Sequence, residues 1–159
     1  MSPTRVERLE PEDAAGCEAV LRALPAWFGL EHAILDYRAA AAEHPTFGTR
    51  APDGSVTSFL TTRRHFPSSA EVHCMAVRPE LRGQGVGSAL LAAAETWLAE
   101  GGVDFLQVKT LSASSPDAGY AETRAFYLAK GFVPLEEFPE LWDPHNPCLL
   151  LIKHLAAGV

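Results

Sequence analysis

The sequence has no apolar run long enough to span a bilayer, and its first residues show no signal-peptide pattern. We therefore expect a cytoplasmic protein that does not enter a membrane. Cysteine is scarce: Cys17, Cys74 and Cys148 are odd in number, far apart and without the spacing of metal ligands. The six histidines are also scattered, with no ligand-type pair. These shortages predict reduced thiols and no metal site.

Basic residues are also few, and acidic residues outnumber them. The chain has 13 Lys and Arg against 20 Asp and Glu, which gives a formal net charge of −7. This balance argues against nucleic acid as the main partner, since phosphate backbones are bound by basic surfaces. With 159 residues, of which 47% are hydrophobic, the chain is long enough for one globular domain with its own core. We predict a single domain over residues 1–159.

Two familiar phosphate-binding patterns are missing. GxxxxGK[ST] does not occur, and no GxGxxG is followed by a strand ending in an acid placed for a ribose. What is present is a strand pattern at Val72–Val77, a stop at Arg78-Pro79, a glycine-rich turn and a helix pattern from Val86 to Glu100. The turn reads Arg82-Gly83-Gln84-Gly85-Val86-Gly87.

This turn suits an anion. A helix start presents unpaired backbone N–H groups with partial positive charge. Glycine lets a ligand approach the backbone, and Arg82 adds a forked cationic donor. Strand, turn and amphipathic helix together therefore favour a phosphate or pyrophosphate site over a simple surface turn.

Two motifs carry a family resemblance. The turn fills the pattern [QR]-x-x-G-x-[GA] with Arg82, Gly85 and Gly87, and Thr123–Phe132 ends in F-Y-x-x-x-G-F. In this order and separation the motifs resemble those of the GCN5-related N-acetyltransferase (GNAT) superfamily. The resemblance extends over 4–155 and is strongest over 71–134. It implies an α/β fold with a mixed, mostly antiparallel sheet of about seven strands and helices on both faces.

The resemblance also implies a cofactor and a reaction. Acetyl-CoA would serve as cosubstrate, with its pyrophosphate on the glycine turn and its pantetheine arm along the strand. The implied cofactor-binding residues are Met75, Ala76, Val77, Arg82, Gly83, Gln84, Gly85, Val86, Gly87 and Ser88. The implied activity is N-acetylation of a primary amine, small molecule or peptide, by direct attack in a ternary complex. An acyl-CoA-binding module without catalysis and an enzyme using a larger acyl group stay open, as does a homodimer.

The catalytic candidates also follow from the resemblance. Tyr127 fills the position at which the family places a tyrosine facing the CoA sulfur, where a phenol can protonate the leaving thiolate. A base is needed because a protonated amine cannot attack. Glu71 matches a glutamate of some members, His73 is the rival because strand alternation places it on the same face, and a water chain is the third alternative. Tyr120 departs from the family, in which asparagine is common at that position.

The acceptor site is the least constrained part of the prediction. The resemblance places it over the first two helices and the neighbouring strands, so Trp27, Phe28 and His73 are candidate substrate-binding residues, with 63–66 as a further wall. Packing of the two helices would explain the aromatic pair equally well. The polar stretch 112–119 is interpreted as an inserted loop, and the acids of 136–143 as either a solvated face or an attraction for cationic amines.

Periodicity and turn residues predict the order of elements. Helices are expected at 11–24, 30–43, 86–100 and 120–130. Strands are expected at 4–9, 46–50, 56–64, 72–77, 103–111, 132–138 and 148–154. The proline-rich segment 139–147 is predicted to be a rigid ordered loop.

Overall fold

The structure is a computed structural model that describes residues 4–25, 28–115 and 119–155. Its α-helices are α1 (Ala14–Arg22), α2 (Glu31–Glu43), α3 (Val86–Glu100) and α4 (Gly119–Ala129). Its strands are β1 (Glu7–Arg8), β2 (Thr46–Arg50), β3 (Val56–Phe66), β4 (Ser69–Val77), β5 (Phe105–Leu111), β6 (Val133–Asp143) and β7 (Asn146–His154). Short 3-10 turns at Pro11–Asp13 and Pro79–Leu81 precede α1 and α3.

The strands form one sheet in the order β1-β2-β3-β4-β5-β7-β6. β4 and β5 run parallel, with Ser69 opposite Phe105 and Val72 opposite Val108. The pairs β1–β2, β2–β3, β5–β7 and β6–β7 are antiparallel. The predicted α/β class with a mixed, mostly antiparallel sheet of seven strands is therefore confirmed.

The chain forms two compact units. The first contains residues up to Arg63 together with His73–Trp97, and the second contains Arg64–Val72 together with the chain from Leu98 onward. In the first unit, apolar side chains of α1, α2 and the strands share one buried core. Burial of these side chains away from water is the main force that holds the helices against the sheet. The fully or nearly fully buried members include Cys17, Val20, Leu21, Ile34, Phe59, Cys74 and Ala76.

In the second unit, β5 lies between β4 and β7. Its register with β7 runs from Phe105 opposite His154 to Leu111 opposite Cys148. Alternate side chains Leu106 and Val108 are buried, as expected for a strand with one face in a core. Among the described residues, no helix is both long and apolar enough to cross a membrane.

The helix pattern beginning at Val86 is confirmed in detail. α3 starts at that residue, and Val86, Leu90, Leu91, Ala94 and Leu98 are all buried. The sixth predicted position, Trp97, is 37% exposed and packs its ring at the surface under the guanidinium of Arg8, 4.8 Å away. The spacing of three and four residues thus identified the buried stripe, and the aromatic ring lies at its margin.

The predicted loop 139–147 is wrong. β6 continues through Pro139 to Asp143, and β7 begins at Asn146. β6 is the last strand of the sheet, and a proline is tolerated in an edge strand because the missing N–H is not needed there. The β6–β7 register also shifts between Phe138 and Asp143, so the sequence pattern loses its regular alternation where the strand continues.

Candidate functional site

Two glycines of the turn adopt a left-handed backbone conformation. Gly83 and Gly85 have positive φ values of +74° and +78°, whereas Arg82 has φ −65° and Gln84, like every described non-glycine residue, is not at positive φ. Arg82 is extended, with ψ 150°, so the turn bends at its two glycines, whose left-handed conformation is rare for other residues. A Cβ added at Gly83 or Gly85 would meet nothing within 4 Å, so the backbone faces open space.

The turn leads directly into α3. The amide of Ala89 donates to the Gly85 carbonyl at 3.0 Å, which makes Gly85 the residue that caps the helix. The N–H groups of Val86, Gly87 and Ser88 lie in the first turn, where no intrahelical acceptor exists. Gln84 braces the turn, since its side-chain amide donates to the Glu80 carbonyl at 3.1 Å. These predicted cofactor residues therefore form one contiguous helix N-terminus in the first unit.

Met75, Ala76 and Val77 form the end of β4 just before this turn. Ala76 is buried in the core of the first unit, whereas Met75 and Val77 are half-buried on the alternate positions. The amide of Arg78 still donates to the Thr57 carbonyl at 3.1 Å, and the strand stops at Pro79, which has no N–H to donate. A partly open strand followed by a helix N-terminus can bind an extended chain that carries a pyrophosphate.

Two of the three predicted substrate-binding residues share a ring cluster in the first unit. The Phe28 ring lies 5.7 Å from that of Tyr37 at 88°, and the Tyr37 ring lies 5.5 Å from that of His73 at 65°. These are edge-to-face contacts of the kind aromatic rings prefer. Tyr37 was missed as a site residue, because its place on α2 gives no sign that β4 packs beside it. Trp27 lies outside the described residues.

Glu71 is the charged centre of the second unit. Its side chain is only 10% exposed, its Oε1 lies 2.7 Å from Nε2 of His65, and its Oε2 lies 3.3 Å from Nζ of Lys109. A carboxylate taken out of water needs such compensation by charge and hydrogen bonds. The predicted base therefore has two partners that sequence reasoning missed, Lys109 being separated from it by 38 residues.

Tyr127 is buried, with 4% of its surface exposed. Its ring makes edge-to-face contacts with Phe126 at 5.2 Å and Phe132 at 5.3 Å, both from the same signature. The helix ends beyond it, where the amides of Lys130 and Phe132 both donate to the Tyr127 carbonyl at 3.1 Å. The motif F-Y-x-x-x-G-F thus fixes this phenol within an aromatic cluster.

The described part of the predicted insertion is tied down. Ser112 donates to Oε1 of Glu137 at 2.6 Å, Ser114 donates to the same carboxylate, and the Ser112 amide donates to the Pro147 carbonyl at 2.9 Å. Hydrogen bonds from these hydroxyls lower the pKa of Glu137, and the bond from Ser112 has the larger effect. The sequence analysis interpreted Glu137 only as one of the acids of 136–143. In the structure, its carboxylate holds the loop that begins at Ser112.

Among the described residues, no group of three or more His, Cys, Asp or Glu side chains is arranged to hold a metal ion. The three cysteines are free and buried. Burial raises the pKa of Cys17 to about 12 and also raises the pKa values of Cys74 and Cys148. A thiol held in its neutral form is a poor nucleophile, so these residues belong to the core.

Comparisons of the sequence and of the structure with known proteins both find GNAT acetyltransferases. A family model described as "Acetyltransferase (GNAT) domain" matches residues 45–134, more than half of the chain. This range contains the glycine turn, Glu71 and Tyr127. No curated protein matches the chain significantly.

Solved structures show the same fold at low sequence identity. A protein described as an acetyltransferase of the GNAT family from Desulfovibrio desulfuricans has a TM-score of 0.82 at 18% identity, with 97% of this chain and 100% of that chain covered. The ribosomal-protein-S18-alanine N-acetyltransferase from Escherichia coli has a TM-score of 0.77 at 18% identity, covering 99% and 97%. An aminoglycoside 6'-N-acetyltransferase complexed with coenzyme A has a TM-score of 0.76 at 14% identity, covering 98% and 99%.

Proposed function

The chain belongs to the GNAT acetyltransferase family, and from this premise we propose that it is an acetyl-CoA-dependent N-acetyltransferase. The acceptor is a primary amine, which attacks the thioester directly in a ternary complex. Direct transfer needs no covalent enzyme intermediate, because binding both substrates together supplies most of the advantage through proximity.

The observation that carries the proposal is the backbone of the glycine turn. Gly83 and Gly85 alternate with residues of negative φ and lead into the first amides of α3. A glycine turn that leads into the free amides of a helix N-terminus supports phosphate binding through N–H donors. The exposed Arg82 adds the positive charge that two phosphates of a CoA molecule require.

The remaining roles concern the reacting atoms. We assign backbone contacts with the pantetheine arm to Met75, Ala76 and Val77, with an N–H of this segment polarising the acetyl carbonyl. Glu71 is proposed as the base that accepts a proton from the ammonium of the acceptor. Tyr127 is proposed as the acid that protonates the CoA thiolate as the carbon–sulfur bond breaks.

The acceptor is proposed only as a class. Two structural neighbours are named for amine acceptors of different kinds, a ribosomal-protein alanine and an aminoglycoside. A chain of net charge −7 attracts cationic amines. The ring cluster of Phe28, Tyr37 and His73 offers an apolar wall for the part of the acceptor that carries the amine.

The test has two stages. Calorimetric titration of the purified protein with acetyl-CoA and with CoA measures cofactor binding, and micromolar affinity is expected. Release of free CoA is then followed while alanine-initiated peptides, polyamines, amino acids and aminoglycosides are supplied as acceptors. Absence of binding to both CoA forms would refute the assignment of the glycine turn.

A second candidate function is an acyl-CoA-binding module without catalysis. The observation that favours it is the burial of Tyr127 among Phe126 and Phe132, which is also what a purely structural tyrosine would show. Tight acetyl-CoA binding without amine-dependent CoA release would support this alternative. Amine-dependent release would exclude it.

A further inference from the structure

Within the second unit, segments of three strands bring together one imidazole, one carboxylate and one ammonium. His65 extends from β3, Glu71 from β4 and Lys109 from β5. The Nε2 of His65 lies 2.7 Å from Oε1 of Glu71, and Nζ of Lys109 lies 3.4 Å and 3.3 Å from Oε1 and Oε2. We name this group the His65–Glu71–Lys109 cluster.

Exposure differs sharply across the cluster. The side chain of Glu71 is 10% exposed, whereas that of His65 is 30% exposed and that of Lys109 is 29% exposed. A proton accepted by Glu71 therefore has little direct access to bulk water. In the described chain, the hydrogen bonds of this carboxylate go to His65 and Lys109 alone.

Only one of these two partners can pass a proton onward. A lysine ammonium carries three donors and no acceptor, so it compensates the carboxylate charge without taking up a proton. An imidazole has two nitrogens and can accept a proton at one while releasing another from the other. His65 also lines a shallow surface groove with Arg64, Phe66 and Pro67.

We propose that His65 is the exit of a proton relay that starts at Glu71. The inference rests on the proposed function, in which Glu71 accepts the proton of the acceptor ammonium. The proton passes from Oε1 of Glu71 to Nε2 of His65, and a second proton leaves Nδ1 for water in the groove. Proton exchange with solvent then restores the starting tautomer of His65 before the next turnover. His65 is thereby a positioning and relay residue, since it contacts the base and not the reacting atoms.

The proton balance is complete. The acceptor ammonium R–NH₃⁺ gives one proton to Glu71, and this proton leaves through His65 to solvent. The neutral amine forms the new carbon–nitrogen bond while the carbon–sulfur bond breaks with its electron pair on sulfur. The amine nitrogen then loses a second proton, which goes to the CoA thiolate through Tyr127. The products are the amide, CoA–SH and one proton in solvent.

Two further groups lie near the cluster in space or along the chain. On β7, the pKa of Cys148 is raised by burial, lowered by the nearby charge of Lys109 and raised by Glu71. Arg64 precedes His65, but its guanidinium is held by the carbonyls of Pro67 and Gly101 at 2.6 Å and 2.7 Å. Neither Cys148 nor Arg64 therefore replaces His65 as the neighbour that can take a proton from Glu71.

The test uses the whole chain, acetyl-CoA and the best amine acceptor of the CoA-release screen. In His65→Ala we expect kcat to fall about 10-fold or more, which is less than the roughly 100-fold minimum for a direct acid or base, because His65 acts through Glu71. KM for acetyl-CoA should not change. Added imidazole should raise kcat of this variant in proportion to its concentration, because it fills the space of the missing ring. His154→Ala, an exposed histidine on β7, should show neither effect.

Two results would overturn the relay. One is full kcat in His65→Ala, and the other is a loss of kcat that imidazole does not restore in folded protein. If His65→Ala does not fold, His65→Gln keeps a hydrogen-bond donor for Glu71 and should show the same loss, so full kcat there refutes the relay. Absence of CoA release by the wild-type chain with every amine is a separate outcome, which refutes the proposed function itself.

Discussion

Gly85 and Gly54 share a left-handed backbone conformation, with φ values of +78° and +90°, and at neither position would an added Cβ meet an atom within 4 Å. One lies at the start of α3 and the other in the turn between β2 and β3. They form a matched pair for substitution. A side chain should cost a similar conformational free energy at both positions, but only Gly85 is proposed to contact the cofactor.

Alanine at these two glycines should therefore separate fold from function. A left-handed conformation costs a non-glycine residue about 1–2 kcal/mol, so Gly85→Ala and Gly54→Ala should lower the free energy of unfolding by similar amounts. Acetyl-CoA affinity should fall about 10-fold or more in Gly85→Ala only. Urea unfolding and calorimetric titration measure the two quantities, and equal affinity in both variants would contradict the assignment.

Charge reversal at Arg82 tests the side-chain part of the same site. A charge-assisted hydrogen bond contributes about 1.5–3 kcal/mol, so Arg82→Glu should weaken acetyl-CoA binding at least roughly 10-fold. Arg5→Glu changes the net charge equally at another exposed position of the first unit and should leave the dissociation constant within about 2-fold of wild type. Retained affinity in Arg82→Glu would remove this arginine from the cofactor site.

Tyr127→Phe removes only a hydroxyl from a buried ring that keeps its contacts with Phe126 and Phe132. If the phenol protonates the leaving thiolate, kcat should fall about 100-fold while the dissociation constant of acetyl-CoA stays nearly constant. Steady-state kinetics and calorimetry give both values. Unchanged kcat in a variant of normal stability would leave Tyr127 with a packing role alone.

The buried thiols should be silent in the folded protein. Because the pKa of Cys17 is raised to about 12 and those of Cys74 and Cys148 are also raised, a chromogenic disulfide reagent at neutral pH should label none of them until denaturant is added. Unfolding should then expose all three. Rapid labelling of native protein would contradict this. CoA release can therefore be measured with the same reagent against a low background.

The raised pKa of Cys17 also predicts how the free energy of unfolding changes with pH. The folded-state pKa of Cys17 lies above its ordinary value of 9.0, because burial disfavours the thiolate. Its contribution to stability is therefore fully present below pH 9 and decreases as the pH rises toward about 12. Urea unfolding at neutral pH and at pH 10 checks the sign. Equal midpoints would show that this ionisation is not linked to unfolding.

The sequence predicted those features of the fold that depend only on residues close together in the chain. The periodic positions of α3, the bounds of β2 and the start of its turn depend on neighbours within a few residues. The extension of β6 through Pro139 could not be predicted in the same way. Whether a proline is tolerated depends on the strand being last in the sheet, which is a property of topology.

The candidate site shows the same limit. The glycine turn was recognisable because its residues are contiguous. The partners of Glu71 come from β3 and β5, and the partner of His73 comes from α2. Such contacts depend on strand register and helix packing. The alternation of side chains within one strand does not predict either of them. The motif positions could therefore be predicted, and their surroundings could not.

The last strand of the sheet also bears on how the protein behaves at high concentration. An exposed edge strand is a template for pairing with other chains, and proteins block such edges with proline and charge. β6 carries Pro134 and Pro139, each without a backbone donor, and four carboxylates at Glu136, Glu137, Glu140 and Asp143. Pro139, Glu140 and Asp143, which lie in the segment predicted to be a loop, thus help to protect this edge from strand-to-strand aggregation.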